Sequence, residues 1–302
     1  MDDEWDEYAD LIAKEKNQDK ENPPRAYNDP SMSGIALELR GWWSGIKDGS
    51  IKFIHGLPLL REFVPAYIPG HVIVISGYTS AGKSQLLSQL IAWTAGVQEA
   101  STLVFSLEDS RLEKNISLIS CVTETVHRKR MLLGDIDGYQ DEIDRAIEHM
   151  SFWPLKIYDD VYRISEMEKL IIEHKPKIVV LDYIQNVTSN GQGIYERMSE
   201  AALFVFMLAQ KYGVTFFVAS QIDNQAAREE SNAFISLKGA GELAAIAHTV
   251  IHLKKGRDND NRHEVQIYIK KNKAFGSCGE MKAEFNEHWT KIIGVNNGKC
   301  NP

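Results

Sequence analysis

The pattern of apolar and polar positions changes twice along the chain. Residues 1–30 mix charged side chains with Asn, Asp and Pro, including Pro23-Pro24, and read as an acidic, disordered arm. Within the arm, Trp5, Tyr8, Leu11 and Ile12 fall at helical spacing. A disordered leader is the plainer reading of that stretch, and a docking peptide for a partner is the sharper one. Residues 33–48 carry Ile35, Leu39, Trp42, Trp43 and Ile46 on one broad face, which predicts an amphipathic helix ahead of the main domain. A helix with two tryptophans outside a core needs cover, from its own domain or from a neighbouring subunit.

From residue 51 a different rhythm sets in. Apolar, β-branched runs at 71–76, 103–107, 155–158, 178–181 and 214–219 read as strands. Between them, apolar residues recur every three or four positions at 83–95, 110–126, 141–149, 165–174 and 194–212, which reads as helices. Strand–helix alternation predicts an α/β domain over 51–302, with a mostly parallel central sheet covered on both faces. Runs at 249–253, 265–270, 281–285 and 290–294 follow without helices between them and predict an antiparallel extension of one sheet edge.

Charge refines this picture. The 302 residues carry a net charge of −8. Ten acids and four bases fall in residues 1–30, so the arm holds −6 and the remaining 272 residues hold −2. The body is nearly neutral, and the total does not exclude nucleic acid as a partner. The longest apolar run, 201–209, is too short to span a bilayer. The acidic N-terminus lacks a signal pattern, and Cys121, Cys278 and Cys300 suit neither a disulfide framework nor a zinc site. The expected location is a reducing compartment, the cytoplasm.

The strongest chemical signal is Gly77-Tyr78-Thr79-Ser80-Ala81-Gly82-Lys83-Ser84, which satisfies the G-x-x-x-x-G-K-[ST] phosphate-loop pattern between an apolar strand and an apolar helix. Glycines let consecutive N–H groups and a helix N-terminus face a polyphosphate. Lys83 adds a cation at the β- and γ-phosphates, and the Ser84 hydroxyl is a ligand for Mg²⁺. Candidate nucleotide contacts are thus Gly77, Thr79, Ser80, Ala81, Gly82, Lys83, Ser84 and Gln85. Three further strands end in polar residues. Asp182 closes an apolar strand and reads as a holder of the Mg²⁺ shell, or else as a helix cap. Glu108 follows the second strand and is placed to polarise a water near a γ-phosphate, or else opens the next helix. Gln221 ends a third, as a γ-phosphate contact or a plain loop residue.

The ordered series GYTSAGKS, VFSLEDS, KIYDD, IVVLDYIQ, VASQI, SLKGAGE and KKNKAFGSCG, between about Ile35 and Ile293, resembles the C-terminal ATPase domain of DnaB-type replicative helicases. The resemblance implies a RecA-like P-loop fold, hexameric rings, ATP with Mg²⁺ between subunits, and single-stranded DNA in the central channel. It implies that residues 31–50 are a linker helix packing on the adjacent subunit. By residue match it makes Glu108 the catalytic base, Lys83 and Ser84 the phosphate and Mg²⁺ ligands, Asp182 the second metal-shell carboxylate and Gln221 the γ-phosphate sensor. Lys271-Asn272-Lys273 stands where the family has Lys-x-Arg, whose arginine reaches a neighbour's γ-phosphate. Here that finger is Lys273, without the planar fork of arginine, so either hydrolysis is slower or another base, such as Lys271 or Arg262, shares the work. The stretch 246–248, Ile-Ala-His, replaces an acidic run, and the family's separate N-terminal domain has no counterpart in this chain.

The loop after Gln221 is the resemblance's DNA-contacting loop and runs through Arg228 to Lys238, Gly239 and Gly241. One cation followed by small residues suits a backbone-tracking turn, while two glycines equally suit a plain turn between elements. The expected function is an ATP-hydrolysing, ring-forming helicase or translocase on single-stranded DNA in replication. The alternative is a nucleotide-switched DNA-binding or recombination-mediating ATPase, or a helicase-associated assembly factor.

Overall fold

The computed structural model describes residues 32–189, 193–222, 241–256 and 262–295. The chain divides between Phe53 and Ile54 into two units. The first holds α1 (Met32–Asp48), the amphipathic helix expected from 33–48. Ile35, Leu39 and Trp43 are exposed along it, and Trp42 meets Phe53 edge-on with ring centroids 6.0 Å apart. After the helix the chain folds back, and the Ile51 N–H donates to the Gly45 carbonyl at 2.8 Å. A Cβ on Gly45 would lie 2.6 Å from Ile51 Cδ1, so a larger residue there would have to displace the Ile51 side chain.

The second unit opens with a two-stranded ribbon, β1 (Ile54–His55) and β2 (Ala66–Tyr67). Its framework follows in chain order: β3 (Val72–Gly77), α2 (Lys83–Ile91), β4 (Thr102–Ser106), α3 (Arg111–Thr123), α4 (Arg128–Leu133) and α5 (Gln140–Ser151). Next come β5 (Leu155–Tyr158), α6 (Ile164–His174), β6 (Ile178–Asp182), α7 (Ile194–Tyr212), β7 (Thr215–Gln221), α8 (Gly241–Ile246) and β8 (Thr249–Lys255). The last strands are β9 (Glu264–Asn272), β10 (Gly279–Phe285) and β11 (Ile292–Gly294). Nine strands form one sheet in the order β11-β10-β9-β8-β3-β7-β6-β4-β5. In sheet order, strands β8 through β5 are parallel, so the 249–253 run, expected in the antiparallel extension, instead joins the parallel sheet beside β3 as β8; β9, β10 and β11 extend that edge in antiparallel fashion, as expected.

Burial explains the continuous apolar runs, since a parallel sheet covered on both faces has no polar side. Alternate residues serve opposite cores. Val72, Val74, Phe105, Val179, Leu181 and Val218 pack with Met167 and Ile171 of α6 and with Met198 and Val205 of α7. Ile73, Ile75, Val104, Val180 and Phe217 pack with Leu86, Leu87, Leu90 and Ile91 of α2 and Leu118 of α3. Each such side chain contributes about 1.5–3 kcal/mol when fully buried.

Three boundaries and one short helix differ notably from the sequence reading. The helix expected over 83–95 leaves the α geometry at Ile91 and continues as a π-helical turn, Ala92–Val97. There Thr94 Oγ1 donates to the Leu90 carbonyl at 2.8 Å, and Gly96 lies so close to Trp153 that a Cβ would sit 2.6 Å from its ring. The helix expected over 110–126 stops at Thr123, because Glu124 turns left-handed at φ 63°. The six-residue α4 was not anticipated, being too short to show a period. The strand expected over 290–294 begins only at Ile292, because the Asn286 side chain accepts from the N–H groups of Thr290 and Lys291 at 2.7 and 3.0 Å.

Candidate nucleotide site at the carboxyl edge of the sheet

The phosphate-loop sequence joins β3 to α2 and adopts the conformation its glycines permit. Gly82 has φ 100°, and a Cβ there would also press on the Phe285 ring at 3.0 Å. A Cβ on Gly77 would lie 2.9 Å from the Leu253 carbonyl oxygen and 3.0 Å from Ala81 Cβ. Ser80 turns left-handed at φ 66°, and Thr79 and Ser80 are exposed at the tip. No side chain caps the N-terminus of α2, which leaves that end of the helix dipole to an anion. Lys83 is 7% exposed and donates from Nζ to the carbonyls of Gly77 and Tyr78, both at 2.9 Å. Gln85 is turned away: its side-chain amide donates to the Thr290 carbonyl, so it serves the sheet edge rather than the loop.

The register of the sheet brings the other polar strand ends alongside. Gln221 pairs with Gly77 across β7 and β3, and Asp182 pairs with Ser106 across β6 and β4. Glu108 follows two residues after Ser106, in a turn closed by Ser106 Oγ donating to the Asp109 carbonyl at 2.7 Å. The Leu107 N–H donates to the Asp182 carbonyl at 2.7 Å, tying this turn to β6. Asp109 is gripped by both terminal nitrogens of Arg128, at 3.2 and 3.4 Å. Lys83, Ser84, Glu108, Asp182 and Gln221 therefore share one edge, where open α/β sheets place their ligands.

Three residues of this edge escaped the sequence reading. Gln185 lies in the short 3₁₀ turn Ile184–Asn186 after β6. Its amide nitrogen donates to Ser220 Oγ at 3.1 Å and to the Gln221 carbonyl at 3.0 Å, and its amide oxygen accepts from the Gln221 N–H at 3.3 Å. Asn186 donates to the Leu107 carbonyl at 2.8 Å. Lys114, in the first turn of α3, donates to Asp182 Oδ2 at 2.6 Å. Its signal was present: Lys114 stands three and four residues before Ser117 and Leu118, on the buried stripe of α3, where an apolar residue is expected.

The electrostatics reflect two carboxylates and two buried ammonium groups in close quarters. The Glu108 carboxyl is held above the ordinary range, first by desolvation, then by the like charges of Asp182 and Asp109, against the pull of Lys83 and Lys114. Desolvation lowers the Lys83 pKa, opposed by Glu108 and Asp182. The donor set fits a nucleotide carrying Mg²⁺: glycine backbone and a helix N-terminus for phosphate, with a hydroxyl and a carboxylate as hard oxygen ligands. Magnesium in phosphate-transfer sites takes one or two such protein oxygens and completes its shell with phosphate and water.

Residues 55–293 match the sequence model of the DnaB-like helicase C terminal domain. The chain belongs to this family. It is 26% identical over 251 residues to the replicative DNA helicase DnaB of Treponema pallidum (strain Nichols), which covers 79% of this chain and 55% of that protein. It is also 26% identical over 261 residues to the replicative DNA helicase DnaB of Leifsonia xyli subsp. xyli (strain CTCB07), covering 82% of this chain and 55% of that one. The chain thus spans about half the length of these relatives. In fold it matches a solved ATPase domain at TM-score 0.77 and 17% identity, over 89% of this chain and 100% of that one. A DnaB-like replicative helicase described with its primase interactions matches at TM-score 0.72 and 17% identity, over 89% and 68% of the two chains. A KaiC-like protein, PH0186 from Pyrococcus horikoshii OT3, matches at 0.58 and 17% identity, over 81% and 99%. The expected RecA-like fold is thereby established.

The remaining candidates of this DnaB-like domain lie elsewhere. Lys271 and Lys273 sit where β9 meets the start of β8, with Thr249 paired to Asn272 and the Lys273 N–H donating to the His248 carbonyl at 2.8 Å. Lys273 thus stands at the amino end of the parallel strands, separated from the phosphate loop by the length of β3, about 16 Å at 3.3 Å per residue. Lys271 pairs with Val250, level with Val74 in the middle of β3, and its side chain is directed away from the loop of its own subunit. Its ammonium instead donates to the carbonyls of Ala244 and Ala245 at the end of α8, both at 2.7 Å. The 246–248 stretch acquires a structural part: His248 Nδ1 accepts from the Val72 N–H at 3.1 Å, and its ring stacks on His71 at 3.9 Å. Of the DNA-loop candidates, Gly241 opens α8, while Arg228, Lys238 and Gly239 lie outside the described residues, as does the 1–30 arm. Among the described residues, no helix is long and apolar enough to cross a membrane.

Proposed function

We propose that this chain is an ATP-hydrolysing motor that assembles as a hexameric ring and moves on single-stranded DNA as a replicative helicase. The observation that carries this reading is the convergence of Lys83, Ser84, Glu108, Asp182 and Gln221 at one sheet edge, in a chain of the DnaB-like family. In this reading the 77–84 loop and Lys83 hold the polyphosphate, and Glu108 takes a proton from the attacking water. Its raised pKa brings it closer to the range in which a carboxylate serves as a base near neutral pH. Ser84 and Asp182 would hold Mg²⁺, which when bound neutralises charge developing on the phosphates. Gln221, anchored by Gln185, is positioned to pass the state of the γ-phosphate to the residues that follow it.

Completion of the site in trans is part of the same proposal. Lys273 lies at the far end of the sheet from its own phosphate loop, and Lys271 is turned toward α8, so they serve a neighbour's site or none. A head-to-tail contact that closes into a ring would bring one subunit's amino edge toward the next subunit's carboxyl edge. The exposed apolar side of α1, with Ile35, Leu39 and Trp43, supports a helix that docks on another copy. Contact with DNA is proposed for the segment that follows Gln221, with Arg228 and Lys238 as the cations.

A forked duplex with a 5′ single-stranded tail tests the motor. The protein is expected to unwind it with ATP and not with a non-hydrolysable analogue, and negative-stain images with ATP and single-stranded DNA are expected to show six-fold rings. Nucleotide-dependent DNA binding with neither unwinding nor movement would favour the switch reading instead.

A further inference from the structure

The first turn of α3 places a lysine on the buried face of the helix. Lys114 is the first member of a stripe continued by Ser117, Leu118 and Cys121. Its side chain is 0% exposed, and its ammonium ends 2.6 Å from Oδ2 of Asp182, whose side chain is 3% exposed. A buried ammonium without a partner is severely destabilising, so the pair rather than apolar packing explains this residue. The backbone that aims it is pinned twice. Ser110 and Glu113 form a reciprocal capping box, and the Arg111 N–H donates to Asp159 Oδ2 at 2.6 Å. The charge of Lys114 is also felt at Glu108, and Lys83 is the second buried cation of the same edge.

We propose that Lys114 is a positioning residue of the nucleotide site: a resident cation that fixes one carboxylate oxygen of Asp182 and supplies positive field to a polyphosphate before any metal arrives. This rests on the assignment of the 77–84 loop as a nucleotide site. Held on Oδ2, Asp182 keeps its other oxygen for the shell of a magnesium ion. The lysine has opposite effects on the two ligands. Its charge favours metal-free nucleotide and disfavours Mg²⁺. A unit charge beside a partly hydrated site changes the binding of a charged ligand by on the order of tenfold.

The test measures binding of a fluorescent ADP analogue to the full chain, in EDTA and across a Mg²⁺ series. The wild-type chain is expected to bind in EDTA within about tenfold of its affinity in saturating Mg²⁺. Lys114→Met is expected to lose about tenfold or more in EDTA, and to reach half-saturation at about tenfold lower Mg²⁺. Lys114→Arg, which keeps the charge, is expected to retain wild-type behaviour. Lys114→Gln keeps a donor on Asp182 without charge and carries the same expectation as Lys114→Met, which leaves Asp182 without a partner.

If Lys114 only fastens α3 to β6, Lys114→Met lowers the melting temperature and moves neither affinity, and the proposal is overturned. A wild-type chain that binds detectably only with Mg²⁺ overturns it as well, with no variant needed. A wild-type chain that binds no nucleotide in either condition, like Lys83→Ala, removes the nucleotide-site assignment itself.

Discussion

The two ends of the parallel sheet are built from the same strands and do opposite things with charge. At the carboxyl end, two carboxylates and two ammonium groups face one another: Lys114 is bonded to Asp182, and Lys83 to the carbonyls of its own loop. At the amino end, His71 and His248 stack as imidazoles held below their ordinary pKa, with Lys271 and Lys273 close by. The first end is a place where an anion with a metal can be accommodated. The second joins strand starts, with the His248 imidazole accepting a backbone N–H from β3, and presents Lys273 about the length of β3 from its own phosphate loop, while Lys271 is held on the carbonyls of Ala244 and Ala245. Function in this fold thus follows which strand end a charge occupies rather than the near-neutral total of the body.

The comparison breaks most directly at the carboxyl end. Lys83→Ala or Glu108→Gln is expected to lower ATP turnover by at least about a hundredfold, since a positioned general base contributes roughly 10²–10⁴. Steady-state phosphate release checks this, and turnover surviving both substitutions would remove the catalytic assignment. At the amino end, Lys273→Ala is expected to cost about tenfold to a hundredfold in turnover, less than the loss of an arginine finger. Mixing Lys83→Ala with Lys273→Ala subunits sharpens the point: if Lys273 acts in trans, some mixed interfaces are intact, and activity partly returns. A mixture as inactive as its components would place Lys273 outside the reaction.

A smaller effect is expected at Gln185, whose hydrogen bonds run to Ser220 and Gln221. Gln185→Ala is expected to reduce DNA-stimulated turnover by a few-fold while leaving nucleotide affinity within about twofold, because a positioning amide is lost and no phosphate ligand is. The smallest effect is on stability against pH. Desolvation, then the neighbouring His248, lowers His71 to about 4, and desolvation, then nearby lysines, lowers His252 to about 4. Both are neutral when folded, and the unfolded chain takes up protons first as pH falls below about 6.5. Their stabilising effect is therefore complete above that pH and lost progressively toward pH 4. Melting temperature followed from pH 7 to 4.5 is expected to fall, and His71→Phe is expected to flatten the decline.

Much of this architecture was legible in the sequence because its signals are local. Buried parallel strands such as Val72-Ile73-Val74-Ile75 and Ile178-Val179-Val180-Leu181 read as uninterrupted apolar runs, and α7 matched its periodic stretch at both ends. Where the reading failed, contacts distant in sequence intervened. The α2 pattern continued past Ile91, but Gly96 packed against Trp153 accompanies a change of helical geometry. Gln85 looked like part of the loop by position, yet its amide bonds Thr290, 205 residues away.

The sequence by itself determined the phosphate loop, the strand–helix order and the polar residues that end each strand, because these depend on neighbours a few positions apart. Only the tertiary structure decided which of those residues meet. It paired Lys114 with Asp182 across 68 residues and tied Gln185 to Gln221 across 36. It also set Lys273 at the opposite end of the sheet from Lys83, because β9 runs antiparallel to β8 and ends where β3 begins. Register and strand order are properties of the whole sheet, and no local pattern of residues encodes them.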